Sequence, residues 1–191
     1  MSDSIRIPLH PSVSQEDFEA MTYESNWAME SIQQKTDELP FETEWSTRDG
    51  KATINYVRDD LLEVDYVVVR GKGARATADH VRSELRTVSV DDALAAAKKA
   101  RSDDDRLEAL YHAVLAAEKA DPRVMELMEA ALANKDPEVR RGAIFAAGYA
   151  EWKALKEPLE RVARDDEDAE IREDAEAMLE GLAKVWKSRS K

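Results

Sequence analysis

The sequence predicts an α+β chain, with an amino-terminal helix, a three-stranded antiparallel meander and a second helix followed by an all-α solenoid of three helical hairpins. Three observations carry this expectation. Apolar spacing is helical after Ser14 and alternates between 41 and 70. Strand signals stop at Val90, and short helical segments follow, separated by "SDDD", "KADP", "NKDP" and "RDDED". Finally, Arg106, Arg140 and Arg172 recur in register with Ala109, Ala143 and Ala175, at intervals of 34 and 32 residues.

Residues 1–13, with Pro8 and Pro11, read as an extended arm, and 14–88 as a small α+β domain. Ser14 can cap a helix whose Phe18, Met21, Ala28 and Ile32 share one face, widened by Tyr23 and Trp27, until Pro40 ends it. Phe41, Thr43 and Trp45 alternate in one strand, and Ile54 and Tyr56 in the next. Between them Asp49-Gly50 signals a two-residue type I′ hairpin, which needs positive φ at both positions. "LLEVDYVVVR" supplies a third strand with Leu62, Val64, Tyr66 and Val68 on one face. "GKG" at 71–73 then breaks the strand before a helix carrying Ala74, Ala78, Val81 and Leu85. A strand-GxG-helix turn can hold phosphate, but here it lacks the third glycine and the acidic landmark of a dinucleotide site, so a plain turn is the expectation.

The carboxy-terminal hairpins are expected at 89–101 with 103–118, 121–134 with 136–150, and 152–164 with 168–186, leaving 187–191 as a flexible tail. No unit can bury its own face, so neighbours must stack. "DPEVRRGAIFAAGYA" and "DAEIREDAEAMLEGLA" resemble the HEAT-repeat family, in particular the short HEAT-like repeats of bilin lyases, over about 89–186. The matching positions are Asp136, Val139, Arg140, Ala143 and Ala147, then Asp168, Ile171, Arg172, Ala175 and Leu179. In the first unit Asp105 stands where the others have an aliphatic residue. The resemblance implies that the recurring arginines are scaffold, pairing with acids at helix starts: Asp136 or Asp105 for Arg140, and Asp168 or Asp136 for Arg172.

Composition narrows the function classes. In 191 residues there are 28 Lys plus Arg against 41 Asp plus Glu, a net charge of −13, and no cysteine. Such a surface repels nucleic acid and anionic lipid in the mean, and the expected partner is another protein, of basic character, with no direct nucleic-acid or membrane contact. The lack of cysteine excludes disulfides and thiolate sites and, with no apolar stretch of about 18 residues, leads to the expectation of a cytoplasmic protein.

No catalytic set emerges, and no cofactor or metal is expected. His10, His80 and His112 have no second ligand at a metal-binding spacing, although His80 and His112 are general-base candidates. "RDDEDAE" lacks the central glycine and alternation of a calcium loop. Asp59 with Asp60, and Asp103 to Asp105, fall at turns, where exposed acids are ordinary.

What stands out is a stripe on the second helix of each hairpin: Leu107, Tyr111 and Leu115, then Arg141, Phe145 and Tyr149, then Glu173 and Ala177, with Trp152 after the second hairpin. In the family this helix lines the partner-binding concave face, and Tyr, Phe and Arg are enriched in interfaces. Leu107, Tyr111, Leu115, Arg141, Phe145, Tyr149 and Trp152 are therefore the candidate partner-binding set, with Arg106, Asp136, Arg140, Asp168 and Arg172 as structural repeat positions. Trp186 and the acidic third hairpin extend or cap the surface. The expectation is a non-enzymatic interaction protein, an adaptor or an inhibitor. The alternatives are a bilin-lyase-like enzyme or small-ligand carrier, and a structural oligomer subunit that uses the stripe as its interface.

Overall fold

A computed structural model describes residues 4–37 and 39–189. The chain divides into two compact units, Met1–Ser89 and Val90–Lys191. The first contains β1 (Ile5–Pro8), α1 (Gln15–Glu24), β2 (Ala28–Gln33), β3 (Phe41–Ser46), β4 (Thr53–Asp59), β5 (Val64–Arg70) and α2 (Ala74–Glu84). Its sheet has five strands in the order β1-β5-β4-β3-β2, all neighbours antiparallel.

This corrects the expected fold class: the chain is a mixed α/β protein with a five-stranded sheet and, among the described residues, eight α-helices, rather than a three-stranded meander followed by an all-α solenoid. The two additional strands come from segments read otherwise. Part of the presumed arm is β1, in which Ile5 and Ile7 alternate with Arg6 and face the core. Pro8, which lacks an N–H, ends this edge strand opposite Tyr66. The first helix is shorter than expected. Its Ser14–Asp17 capping box forms, but the helix stops at Glu24, and Asn26 takes a left-handed φ of 54°. Asparagine tolerates that conformation, and the chain turns into β2 instead of continuing to Pro40.

Directly paired residues share a face, so the registers identify the core. Ile5 pairs with Val69, Ile7 with Val67, Ile54 with Val69 and Tyr56 with Val67. This face packs against Phe18 and Met21 of α1 and Ala74, Ala78 and Val81 of α2. Phe18 stacks on Tyr56 at 5.1 Å between ring centroids and meets Trp45 edge-on at 6.3 Å. Burial and a hydrogen bond from the Tyr56 hydroxyl to Asp65 push the phenol pKa up. The helix-facing residues of β5 are thus Val67 and Val69. Leu62, Val64, Tyr66 and Val68 are buried but lie outside this cluster; the apolar run from Tyr66 to Val69 conceals this phase in the sequence.

On the opposite edge, β2 shifts register between Met29 and Ser31, and the bulge lets Met29 pair with Trp45 while Ile32 pairs with Thr43. Both apolar side chains therefore lie on the helix side, 44% and 52% exposed. The bulge and Glu30 blunt this edge strand.

The β3–β4 connection is not a two-residue type I′ turn. Thr47 and Ala52 close a four-residue loop in which only Gly50 has a positive φ, 65°. The Asp49 carboxylate accepts from the Thr47 hydroxyl and the Lys51 amide, a local arrangement that competes with the tighter turn. The "GKG" segment folds onto the same loop. Gly71, at φ 104°, would place a Cβ 2.4 Å from the Lys51 carbonyl oxygen, and the Gly73 amide donates to that oxygen at 3.0 Å.

The second unit contains α3 (Val90–Lys99), α4 (Asp103–Ala116), α5 (Pro122–Leu132), α6 (Pro137–Ala150), a 3₁₀ turn (Lys153–Leu155), α7 (Lys156–Asp165) and α8 (Ala169–Arg189). Asp121 and Asp136 cap α5 and α6, each followed by proline at the first helical position, where its missing N–H costs nothing. A Ser102–Asp105 capping box starts α4. Each odd helix packs on the even helix after it, and α6 packs on both α4 and α8. Ala109, Ala143 and Ala175 are buried where these helices approach. The expected tail is helical through Arg189, and 190–191 lie outside the described residues.

Gly50→Ala costs about 1 kcal/mol for its left-handed φ in open space, whereas Gly71→Ala costs about 2–3 kcal/mol because strain and a backbone clash combine; urea denaturation separates them. Hydrogen bonds from the Arg123 side chain and amide lower Asp121 from 3.8 to about 2. Its stabilising contribution is present above pH 3.8 and is lost as pH falls through about 2, and Arg123→Gln shifts the carboxyl titration observed by NMR upward.

Candidate interaction groove

The two arginines of α6 act in different places. A helical side chain leans toward its own amino terminus, so Arg140 reaches past Asp136 into the preceding loop and across to the next hairpin. Its Nε and Nη2 donate to the two carboxylate oxygens of Asp166 at 2.7 and 2.8 Å, and Nη1 donates to the carbonyls of Asn134 and Lys135 at 2.8 and 3.2 Å. Both side chains of the pair are only 6% exposed. Asp136 and Asp105 are therefore not the partners of Arg140, because the Asp136 carboxylate is taken by the Glu138 amide as the α6 cap. Arg172 repeats the backbone half of the arrangement, donating to the Asp166 carbonyl at 2.7 Å rather than to Asp168 or Asp136. The Asp168 carboxylate caps α8 through the Glu170 amide. Arg106 pairs with Asp103 at 2.9 Å in a partly exposed bridge.

Arg141 bridges α6 to α8. It donates to Glu138 at 2.9 Å, Glu170 at 3.0 Å and Asp174 at 2.9 Å, and the hydrogen bond to Asp174 is the main cause of its raised pKa. At the other end of the two helices, the Trp186 indole N–H donates to the Glu151 carbonyl at 2.8 Å. Glu151, at φ 53°, is the residue that ends α6. Polar clamps thus join α6 and α8 near both ends.

Between the clamps the helices enclose an open groove of about 460 Å³, lined by Ile144, Phe145, Gly148, Ala177, Met178, Gly181, Leu182 and Val185, with Glu151 and Asp174 at its ends. Two glycines shape it. A Cβ on Gly148 would approach the Met178 thioether at 3.0–3.1 Å, so glycine is what allows Met178 to seat there. A Cβ on Gly181 would meet nothing within 4 Å, and that position faces open space.

The sequence-predicted stripe divides accordingly. Phe145 lines the groove and Arg141 braces its acidic end. Leu107 and Tyr111 instead pack on α6, where a Cβ on Gly142 would lie 2.4 Å from the Leu107 side chain and 2.7 Å from the Tyr111 hydroxyl; Leu115 is buried. Tyr149 and Trp152 are half-buried and outside the groove lining. On α8 the stripe includes Ala177, which lines the groove; Asp174, Met178, Gly181, Leu182 and Val185 share its helical spacing but lie outside the stripe, because that helix reads as a polar cap.

The remaining candidates have local roles. Asp59 accepts the Leu61 and Leu62 amides, Asp60 pairs with Lys35, and Asp105 completes the α4 capping box. His10 bonds Ser12, His80 bonds Ser25 at 2.7 Å, and the buried His112 bonds the Glu108 carbonyl within its own helix. Among the described residues, no group of three His, Cys, Asp or Glu side chains is placed to hold a metal ion, and no helix is long and apolar enough to cross a membrane.

Arg140→Ala leaves Asp166 buried without its counter-charge and lowers stability by about 3–5 kcal/mol. Arg106→Ala, at a partly exposed pair, costs about 1 kcal/mol or less by the same denaturation measurement. The chain matches no known family model, no curated protein and no solved structure.

Proposed function

We propose that this chain is a non-enzymatic interaction protein, an adaptor or inhibitor, that holds a partner protein on the groove between α6 and α8. The observation that carries this reading is an apolar groove open to solvent, held at a fixed width by Arg141 at one end and Trp186 at the other. The groove is a concave strip in which Phe145, Met178 and Val185 are half-buried and Ala177 and Gly181 exposed. The position of the groove on the second helices of two hairpins accords with the HEAT-like resemblance, and the net charge of −13 suits a basic partner. Within the candidate set, Phe145 contacts the partner and Arg141 shapes the surface, while Leu107, Tyr111 and Leu115 hold the helices together.

A second reading has one observation in its favour. The groove volume falls within the roughly 300–1,000 Å³ typical of small-ligand sites, which suits a carrier of an apolar molecule. Native mass spectrometry of protein from its own cells separates the two, since a carrier retains a small-molecule adduct.

Gly181→Leu tests the proposal. The added side chain projects into open groove, and leucine is a better helix former than glycine by about 0.5–1 kcal/mol. Thermal stability is therefore expected to hold or rise, while partner crosslinking through a photoreactive residue at Phe145 falls at least tenfold. Undiminished crosslinking in that variant overturns the proposal.

A further inference from the structure

The two ends of the groove are electrostatically unequal. Near the starts of α6 and α8, the single guanidinium of Arg141 faces three carboxylates, Glu138, Glu170 and Asp174, which leaves a local charge of −2 when all are ionised. The Glu138 and Glu170 side chains are 74% and 79% exposed. An ionised carboxylate has about four acceptor sites, so one bond to Arg141 leaves most of that capacity free. Glu170, Asp174, Ala177 and Gly181 follow one another at helical spacing on α8, and the acids therefore run directly onto the apolar line. Toward the other end that line continues through Leu182 and Val185, with Lys184 exposed beside it.

The lining also selects the backbone of the occupant. The floor and walls are apolar side chains, which offer nothing to the alternating N–H and C=O groups of an extended strand. A helix satisfies these groups internally and presents only side chains. The stretch from Asp174 to Val185 is about 16 Å long at about 1.5 Å per residue, or about three helical turns.

From the groove reading above, on which this step rests, we infer that the occupant is an amphipathic helix of a partner protein, docked with a Lys- or Arg-bearing first turn over Glu138, Glu170 and Asp174. The partial positive charge at a helix amino terminus acts in the same sense, so the bound helix runs parallel to α8. Its apolar residues, spaced i, i+4 and i+7, enter between Phe145 and Met178, and the flexible thioether adapts to their shape.

The test is a selection with the full chain from a displayed library of 14-residue helix-forming peptides, followed by titration of the recovered sequences. The expected consensus has apolar residues at i, i+4 and i+7 and Lys or Arg in the first turn. Affinity should fall at least tenfold in Gly181→Leu. It should fall about fivefold in the double variant Glu138→Gln, Glu170→Gln, in keeping with two exposed ion pairs, and weaken with added salt. Recovery of no helix, of peptides without cationic preference, or of binding indifferent to the double variant overturns the inference. If a partner still crosslinks at Phe145 in those cases, the groove reading survives; if Gly181→Leu spares both peptide binding and crosslinking, both fall.

Discussion

The structure of the helical unit depends on how α6 is fixed to the hairpin that follows it, and the buried Arg140–Asp166 pair is the centre of that connection. A bidentate guanidinium–carboxylate contact has little geometric freedom, and the remaining donor of Arg140 ties down two carbonyls of the loop before α6. The same Asp166 carboxylate accepts the Asp168 amide, and its own carbonyl accepts from Arg172. One residue between α7 and α8 thereby organises contacts from both neighbouring even-numbered helices. Burial alone would let the small alanine faces slide, because they carry few directional contacts. The polar network sets their register.

The groove is a consequence of that register. Arg141, next in sequence to Arg140 and turned about 100° around the helix, meets the first turns of α8, and Trp186 closes the far end. Between these clamps, glycines stand where a larger residue would displace Met178 or fill open space. The surface is therefore a gap kept open by packing on either side, with an acidic entrance derived from the residues that clamp it. Scaffold and groove share side chains, and Arg141 belongs to both.

Much of the helical unit was legible because its punctuation is chemical. Asp-Pro pairs and Ser–Asp capping boxes mark helix starts whatever lies around them, and Arg140 separated from Arg141 once the repeat register was drawn. The partner of Arg140 was not legible, since Asp166 belongs to the next hairpin and only the tertiary fold brings it near. The groove was half legible: Phe145 and Ala177 fall on the stripe, whereas Met178, Gly181, Leu182 and Val185 lie within an acidic helix that reads as a cap. In the sheet unit, Ile5 and Ile7 carried an alternation obscured by nearby prolines. Trp27, Ala28 and Ile32 fitted a helical face until Asn26 broke it. The all-apolar stretch of β5 gave no indication of which side faced the helices.

On the reading proposed above, the α6–α8 groove is the surface on which a partner rests. Hydrogen exchange of the full chain, free and in complex with its crosslinked partner, measures this most directly. Within the helical unit, slowed exchange is expected in the carboxy-terminal half of α6 and at about residues 174–185 of α8. Unchanged exchange in those segments, with new protection on α3, α5 or α7 instead, would contradict it.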